Sequence, residues 1–206
     1  LKNTWGAFTV NIKLKEKAIP YLNRNIHIHS LGSSVWERSA KPADTPVDYV
    51  MAHYYVPEDG SNYIPAIDLL SVMTWDEVAR WEETKVGHRG GDYIEFKERK
   101  AQECIDLATQ YIPGLGQAID KYYTSTPLTW RDYTGTPNGS AFGIRKDYTR
   151  PEYTVLPART PAPNLFMTGQ NLSVHGLLGV SMTSLMTCMQ IPGAGDIWKD
   201  FNKKTG

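Results

Sequence analysis

The apolar residues of this chain change period once along its length, and that change limits the folds open to it. Phe8, Val10, Ile12 and Leu14 alternate with Thr9, Asn11 and Lys13, the spacing of a half-buried strand. The alternation returns at Ile26 to His29, at Val47 to Val56 and at Ile64 to Val72, with the turn sequence Pro57-Glu58-Asp59-Gly60 between the last two. Only then does helical spacing take over. Thr74-Trp75-Asp76-Glu77 reads as a capping box opening a short helix through Trp81. Ala101, Cys104, Ile105, Ala108, Tyr111 and Ile112 fall on one helix face, which Pro113-Gly114 ends. Strands grouped ahead of helices argue for antiparallel neighbours rather than parallel strands joined by crossover helices. The expected fold class is α+β, a mostly antiparallel mixed sheet backed by helices.

The second half is less regular. Leu115, Ala118, Ile119 and Tyr122 suggest one more short helix, and Thr124 to Pro163 reads as a long loop region. Asn164 to Thr168 reads as a short buried strand, followed by a glycine-containing loop and a helix from Val180 to Gln190. The sheet region looks self-sufficient and the tail does not, which places a division near residue 130. Leu1 stands where a start methionine would, and strand alternation begins almost at once. The N-terminus is therefore expected to be an internal cut.

Charge narrows the partners. Lys plus Arg and Asp plus Glu both number 22, so no bulk field favours nucleic acid. The 12 Tyr and 6 Trp fill cores but also line sites for large flat ligands. Cys104 and Cys188 are too far apart for a disulfide framework or zinc motif, and suit a reducing compartment. No apolar run approaches the roughly 20 residues of a membrane-spanning helix. A cytoplasmic location is expected. Glu95 to Lys100 reads as a solvated helix face. His27 and His29 share one sheet face but lack a third ligand, so no metal site is expected.

The informative tail runs from Asn164-Leu165-Phe166-Met167-Thr168-Gly169-Gln170-Asn171 to His175-Gly176-Leu177-Leu178-Gly179-Val180. Gly169 permits close approach of a ligand, and a helix starting near Gly179-Val180 would point free backbone N–H groups at an electron-rich oxygen. On spacing alone, an ordinary strand-to-helix connection explains the stretch equally well.

This segment resembles the C-terminal flavin-contacting motif of the flavin amine oxidase and phytoene desaturase superfamily. Upstream, Thr129-Trp130-Arg131-Asp132-Tyr133 followed by Gly139-Ser140-Ala141-Phe142-Gly143-Ile144 is similar to the Gly-Ser-Ala-Phe-Gly stretch of bacterial phytoene desaturases and their relatives, and the whole resembles the phytoene desaturase, carotenoid isomerase and retinol saturase group. Thr168-Gly169-Gln170 fits the retinol saturase subgroup best. The resemblance implies an FAD-dependent oxidoreductase that desaturates, saturates or isomerises C=C bonds of a polyene or isoprenoid lipid. It implies cofactor contacts at Gly169, Gln170, Asn171, Gly176, Gly179 and Val180, and substrate contacts at Phe142 and His175. It also implies a substrate-binding domain over 1–130, a return segment to an FAD-binding domain over 131–206, and peripheral contact with membranes.

Two departures bear on this. Gln170 and Asn171 stand where many members of the superfamily carry an acidic residue. No G-x-G-x-x-G occurs, so the pyrophosphate cradle is expected in an N-terminal FAD-binding part of the same protein. The 206-residue chain is accordingly not expected to hold FAD by itself. The residues leave the catalytic groups unassigned. A non-catalytic module of the same fold that binds an apolar ligand is the alternative from another class, and a flavin enzyme acting on amines is a third reading.

Overall fold

The computed structural model describes residues 1–33, 42 and 44–191. They form two compact units, one of residues 5–141 and one of residues 1–4 with the tail from 142.

The first unit is built on a five-stranded sheet. Strands β1 (Gly6–Leu14), β2 (Ile26–His29), β3 (Tyr49–Tyr54), β4 (Ala66–Met73) and β5 (Ile119–Ser125) lie in the order β2-β3-β4-β1-β5. Every pairing is antiparallel. The α+β expectation therefore holds, with a sheet that is wholly antiparallel among the described residues.

One face of the sheet is the core. Phe8, Val10 and Ile12 of β1, Val50 and Ala52 of β3, and Ile67 and Leu69 of β4 are all buried, at the alternate positions the sequence indicates. Each of these side chains other than Ala52 contributes roughly 1.5–3 kcal/mol when fully removed from water. Helix α1 (Gly91–Thr109) supplies the other layer through Tyr93, Phe96, Ala101, Cys104, Ile105 and Ala108. It starts ten residues before the first position the apolar spacing had marked, so it takes in Glu95 to Lys100. That stretch is not simply a solvated face, because Phe96 and Lys100 are buried. The Lys100 ammonium donates to the Thr45 carbonyl at 2.6 Å and lies 3.8 Å from the Glu77 carboxylate and 3.7 Å from that of Glu103.

The capping box at Thr74 forms as read, with the Thr74 N–H donating to Glu77 Oε1 at 2.9 Å. It opens two successive 3-10 turns, over Trp75–Glu77 and Ala79–Trp81, rather than an α-helix. The short helix expected around Leu115 to Tyr122 is replaced by α2 (Leu115–Ala118) running straight into β5. Tyr122, Tyr123 and Thr124 favour extended backbone, and β1 offers them a free edge. Helix α3 (Pro127–Thr134) occupies part of the expected loop region. Thr126 accepts from the Leu128 N–H at 3.2 Å, Pro127 takes the first turn, and Gly135 closes it in the left-handed region.

In the second unit, helix α4 (Gly176–Cys188) starts four residues before the expected Val180. The buried strand expected over Asn164 to Thr168 does not form. Asn164 sits at φ 60°, Leu165 and Met167 are exposed, and a single bridge joins Phe166 to Arg159. Beyond that bridge the segment pairs with no strand among the described residues, so it has no ladder to make it one. Residues 192–206 of the expected return segment lie outside the described residues.

Candidate functional site

In the second unit the structure brings Phe142 against His175, and Gln170 and Asn171 against Gly143. Gly169 has φ 101° and Gly176 φ 79°, and a Cβ on either would meet open space. These glycines serve the backbone turn and leave the space above it clear. His175 is the N-cap residue of α4, yet its side chain makes no capping bond. Instead its ring packs on Phe142, with centroids 4.9 Å apart and planes tilted by 52°. The first-turn N–H groups of α4 have no side-chain acceptor among the described residues, and a helix start of this kind favours an electron-rich oxygen.

Gly179 differs from what the sequence suggests. It lies inside α4, not at its start, and is buried. A Cβ there would fall 2.7 Å from both the carbonyl carbon and the oxygen of Val174. The close approach that Gly179 permits is therefore to this chain's own backbone. Val180 follows it, half-buried, in the second turn of the helix.

Asn171 also has a structural task. Its Oδ1 accepts from the Ile144 N–H at 3.0 Å, and a Cβ on Gly143 would come within 2.4 Å of that oxygen. The two expected motifs thus meet at Gly143 and Asn171. Lys146, which sequence reasoning did not single out, ties the same loops together. Its ammonium donates to the carbonyls of Thr154 (2.8 Å), Asn171 (2.7 Å) and Leu172 (3.2 Å), and burial holds its pKa below the usual lysine range. Gln170 is half-buried, and its carboxamide has no hydrogen-bond partner among the described residues. Of the six expected contacts, it is the one whose side-chain polar groups remain unspent.

Helix α4 is turned the opposite way from most surface helices. Gly179, Thr183 and Thr187, four residues apart, form its buried side, and Thr183 and Thr187 donate back to the carbonyls of Gly179 and Thr183. The outer side carries Leu177 (90% exposed), Leu178 (77%), Met182, Met186 and Met189. So continuous an apolar stripe in water marks a surface built to be covered.

The upstream motif around α3 is mainly structural. Asp132 pairs with Arg89 and accepts from Arg131 Nε at 2.8 Å. Arg131 also donates to the Glu82 carbonyl at 2.9 Å and covers the Trp75 ring. Trp81 lies in the core while Trp75 packs half-buried against it. Gly139 has φ 60°, and its Cβ would strike the Pro127 carbonyl oxygen. Trp130 Nε1 is buried without an acceptor among the described residues.

The remaining candidates are ordinary. His27 shares a 2.8 Å hydrogen bond with the Tyr49 hydroxyl, and no group of three or more His, Cys, Asp or Glu among the described residues is placed to hold a metal ion. Among the described residues no helix is long and apolar enough to cross a membrane.

No family model matches the chain. Similarity to individual proteins is clear. Over 170 residues the chain is 30% identical to human (Homo sapiens) all-trans-retinol 13,14-reductase, an alignment covering 69% of this chain and 28% of that protein. It is 28% identical over 127 residues to the Danio rerio protein of the same name (59% and 20%), and 30% identical over 119 residues to that of Macaca fascicularis (56% and 19%). The chain spans between about a fifth and somewhat over a quarter of the length of these curated relatives. Over more than half its own length, the chain is related to the retinol-saturase-like reductases.

Proposed function

We propose that this chain is part of an FAD-dependent oxidoreductase that desaturates, saturates or isomerises C=C bonds of a polyene or isoprenoid lipid. The observation that carries the reading is the similarity to all-trans-retinol 13,14-reductases. In the longer polypeptide, an N-terminal FAD-binding part would supply the dinucleotide cradle that these residues lack.

The residues present fit the cofactor on three counts. The first turn of α4 has no side-chain cap, the space over Gly169 and Gly176 is clear, and the Gln170 carboxamide is unspent. When bound, FAD would supply hydride exchange with the substrate. The α4 amides would favour negative charge on a facing carbonyl oxygen. Gln170 would donate to the cofactor, while Asn171 and Lys146 hold the loop in shape. Gly179 and Val180 would act indirectly, by fixing α4 against Val174. Phe142 and His175 would offer a tilted pair of rings to a conjugated substrate. The exposed Leu177, Leu178 and Met182 would be covered by the FAD-binding part or by the lipid itself, which also accommodates peripheral contact with a membrane.

The test is flavin retention by the longer polypeptide and its Gln170→Leu variant. The Gln170 carboxamide makes no hydrogen bond among the described residues and its stem lies beside Gly143, so Leu, which keeps that stem, should leave the variant folded and releasing flavin more readily. Unchanged retention would remove Gln170 from the site, and a longer polypeptide free of flavin would overturn the reading.

A further inference from the structure

The first unit contains a separate cleft of about 470 Å³, inside the range of about 300–1,000 Å³ typical of small-molecule sites. Tyr93, Ile94 and Lys97 of α1 form one wall, Tyr133 of α3 another, and Val86 and Arg89 of the preceding turn a third. Ile94, Tyr133 and Val86 are exposed apolar or aromatic surfaces that converge on this one depression. The lining includes two cations and no carboxylate.

The two cations are not equivalent. Arg89 is buried and committed: it pairs with Asp132 and donates to the Thr84 carbonyl at 2.9 Å. Lys97 has no hydrogen-bond or ion-pair partner among the described residues. Its helical neighbours at three and four residues are Tyr93, Ile94, Lys100 and Ala101, none of them acidic. The adjacent Glu98 is engaged by the Tyr122 hydroxyl at 2.6 Å. The Lys97 ammonium lies 5.5 Å from the centre of the Tyr93 ring, and burial holds its pKa below the usual lysine range. A partly desolvated ammonium that no carboxylate among the described residues hydrogen-bonds or ion-pairs, with Glu98 acting on it only at a distance, leaves positive charge in apolar walls for a ligand to balance.

We propose that this cleft binds a carboxylate-headed amphiphile, with the carboxylate on Lys97 and the apolar body against Tyr93, Ile94, Val86 and Tyr133. One unmatched cation suits a single negative charge, and the walls suit a hydrocarbon or polyene chain. The site lies wholly within residues 86–133, and it stands whether or not the flavin reading holds.

The experiment is a fluorescence titration of the 206-residue chain with cis-parinaric acid and, in parallel, with its methyl ester, which keeps the polyene and removes the charge. The acid is expected to bind at least tenfold more tightly than the ester. Lys97→Met, which keeps the side chain's bulk, should bring the acid down to the ester's affinity and leave the ester unchanged. Ile94→Glu should weaken both, and circular dichroism should confirm that each variant is folded. Equal binding of acid and ester, no binding of the acid, or full acid affinity in folded Lys97→Met would overturn the proposal.

Discussion

Replacing Lys100 with methionine tests whether a charged group holds α1 to the sheet unit from inside. Met keeps most of the stem volume, so the change removes the ammonium and little packing. It strands two partners: the Thr45 carbonyl, which accepts from Lys100 at 2.6 Å, and the Glu77 carboxylate 3.8 Å away. Glu77 is itself buried, with only the Thr74 backbone and hydroxyl left to satisfy it. Breaking a buried pair by removing one member costs about 3–5 kcal/mol. For a chain of this size that corresponds to a fall in melting temperature of roughly 6–20 °C. Urea unfolding at pH 7, followed by circular dichroism, would measure it. Adding Glu77→Gln removes the stranded charge, so the double variant should recover at least about 1 kcal/mol relative to additivity. A cost for Lys100→Met under about 0.5 kcal/mol, the range of ordinary surface changes, or strictly additive effects, would refute the reasoning.

Three further outcomes follow from the same geometry. Burial holds the Glu77 carboxyl above its ordinary 4.5, so the folded chain binds that proton more tightly than the unfolded one. The stabilisation is full below about 4.5 and is lost as pH rises through the raised value. Wild type should therefore lose stability relative to Glu77→Gln over that window, and the opposite slope would contradict the assignment. Burial pushes the Cys104 thiol up to about 12, so a thiol reagent at neutral pH should label Cys188 in the folded chain and reach Cys104 only in denaturant. Gly139→Ala should cost at least about 2 kcal/mol, because it adds backbone strain at positive φ to a clash with the Pro127 carbonyl; an unfolding midpoint equal to wild type would contradict this.

The sheet was legible because β3 and β4 keep a strict two-residue period of burial, and β1 buries the positions the sequence marks while also burying Ala7 and Thr9 on its other face. Strand β5 was not, because Ile119 and Tyr122 also satisfy helical spacing and only pairing with β1 decides between them. Helix α3 carries its own signals in Thr126-Pro127 and Gly135, and these were masked by the prolines and glycines that follow. The start of α1 was hidden because the buried Lys100 sits in a run of charges and looks solvated. In the second unit, the glycine pattern marks a loop running into a helix, but it puts the helix start at Gly179, which the structure places inside α4. Gly143 yields to Asn171 and Gly179 to Val174, which are contacts between residues distant or offset in sequence. The Lys97 cleft had no sequence signal beyond a lysine without acidic neighbours at helical spacing.

Hydride exchange between a flavin and a polyene changes the mass of the polyene, and mass spectrometry reads that change directly. The longer polypeptide, purified with its flavin and reduced anaerobically, would be incubated with all-trans-retinol. Saturation of this polyene by the reduced flavin gives a product heavier by two hydrogens, formed in step with reoxidation of the flavin. Retinol of unchanged mass beside flavin that stays reduced would contradict hydride exchange in the saturating direction.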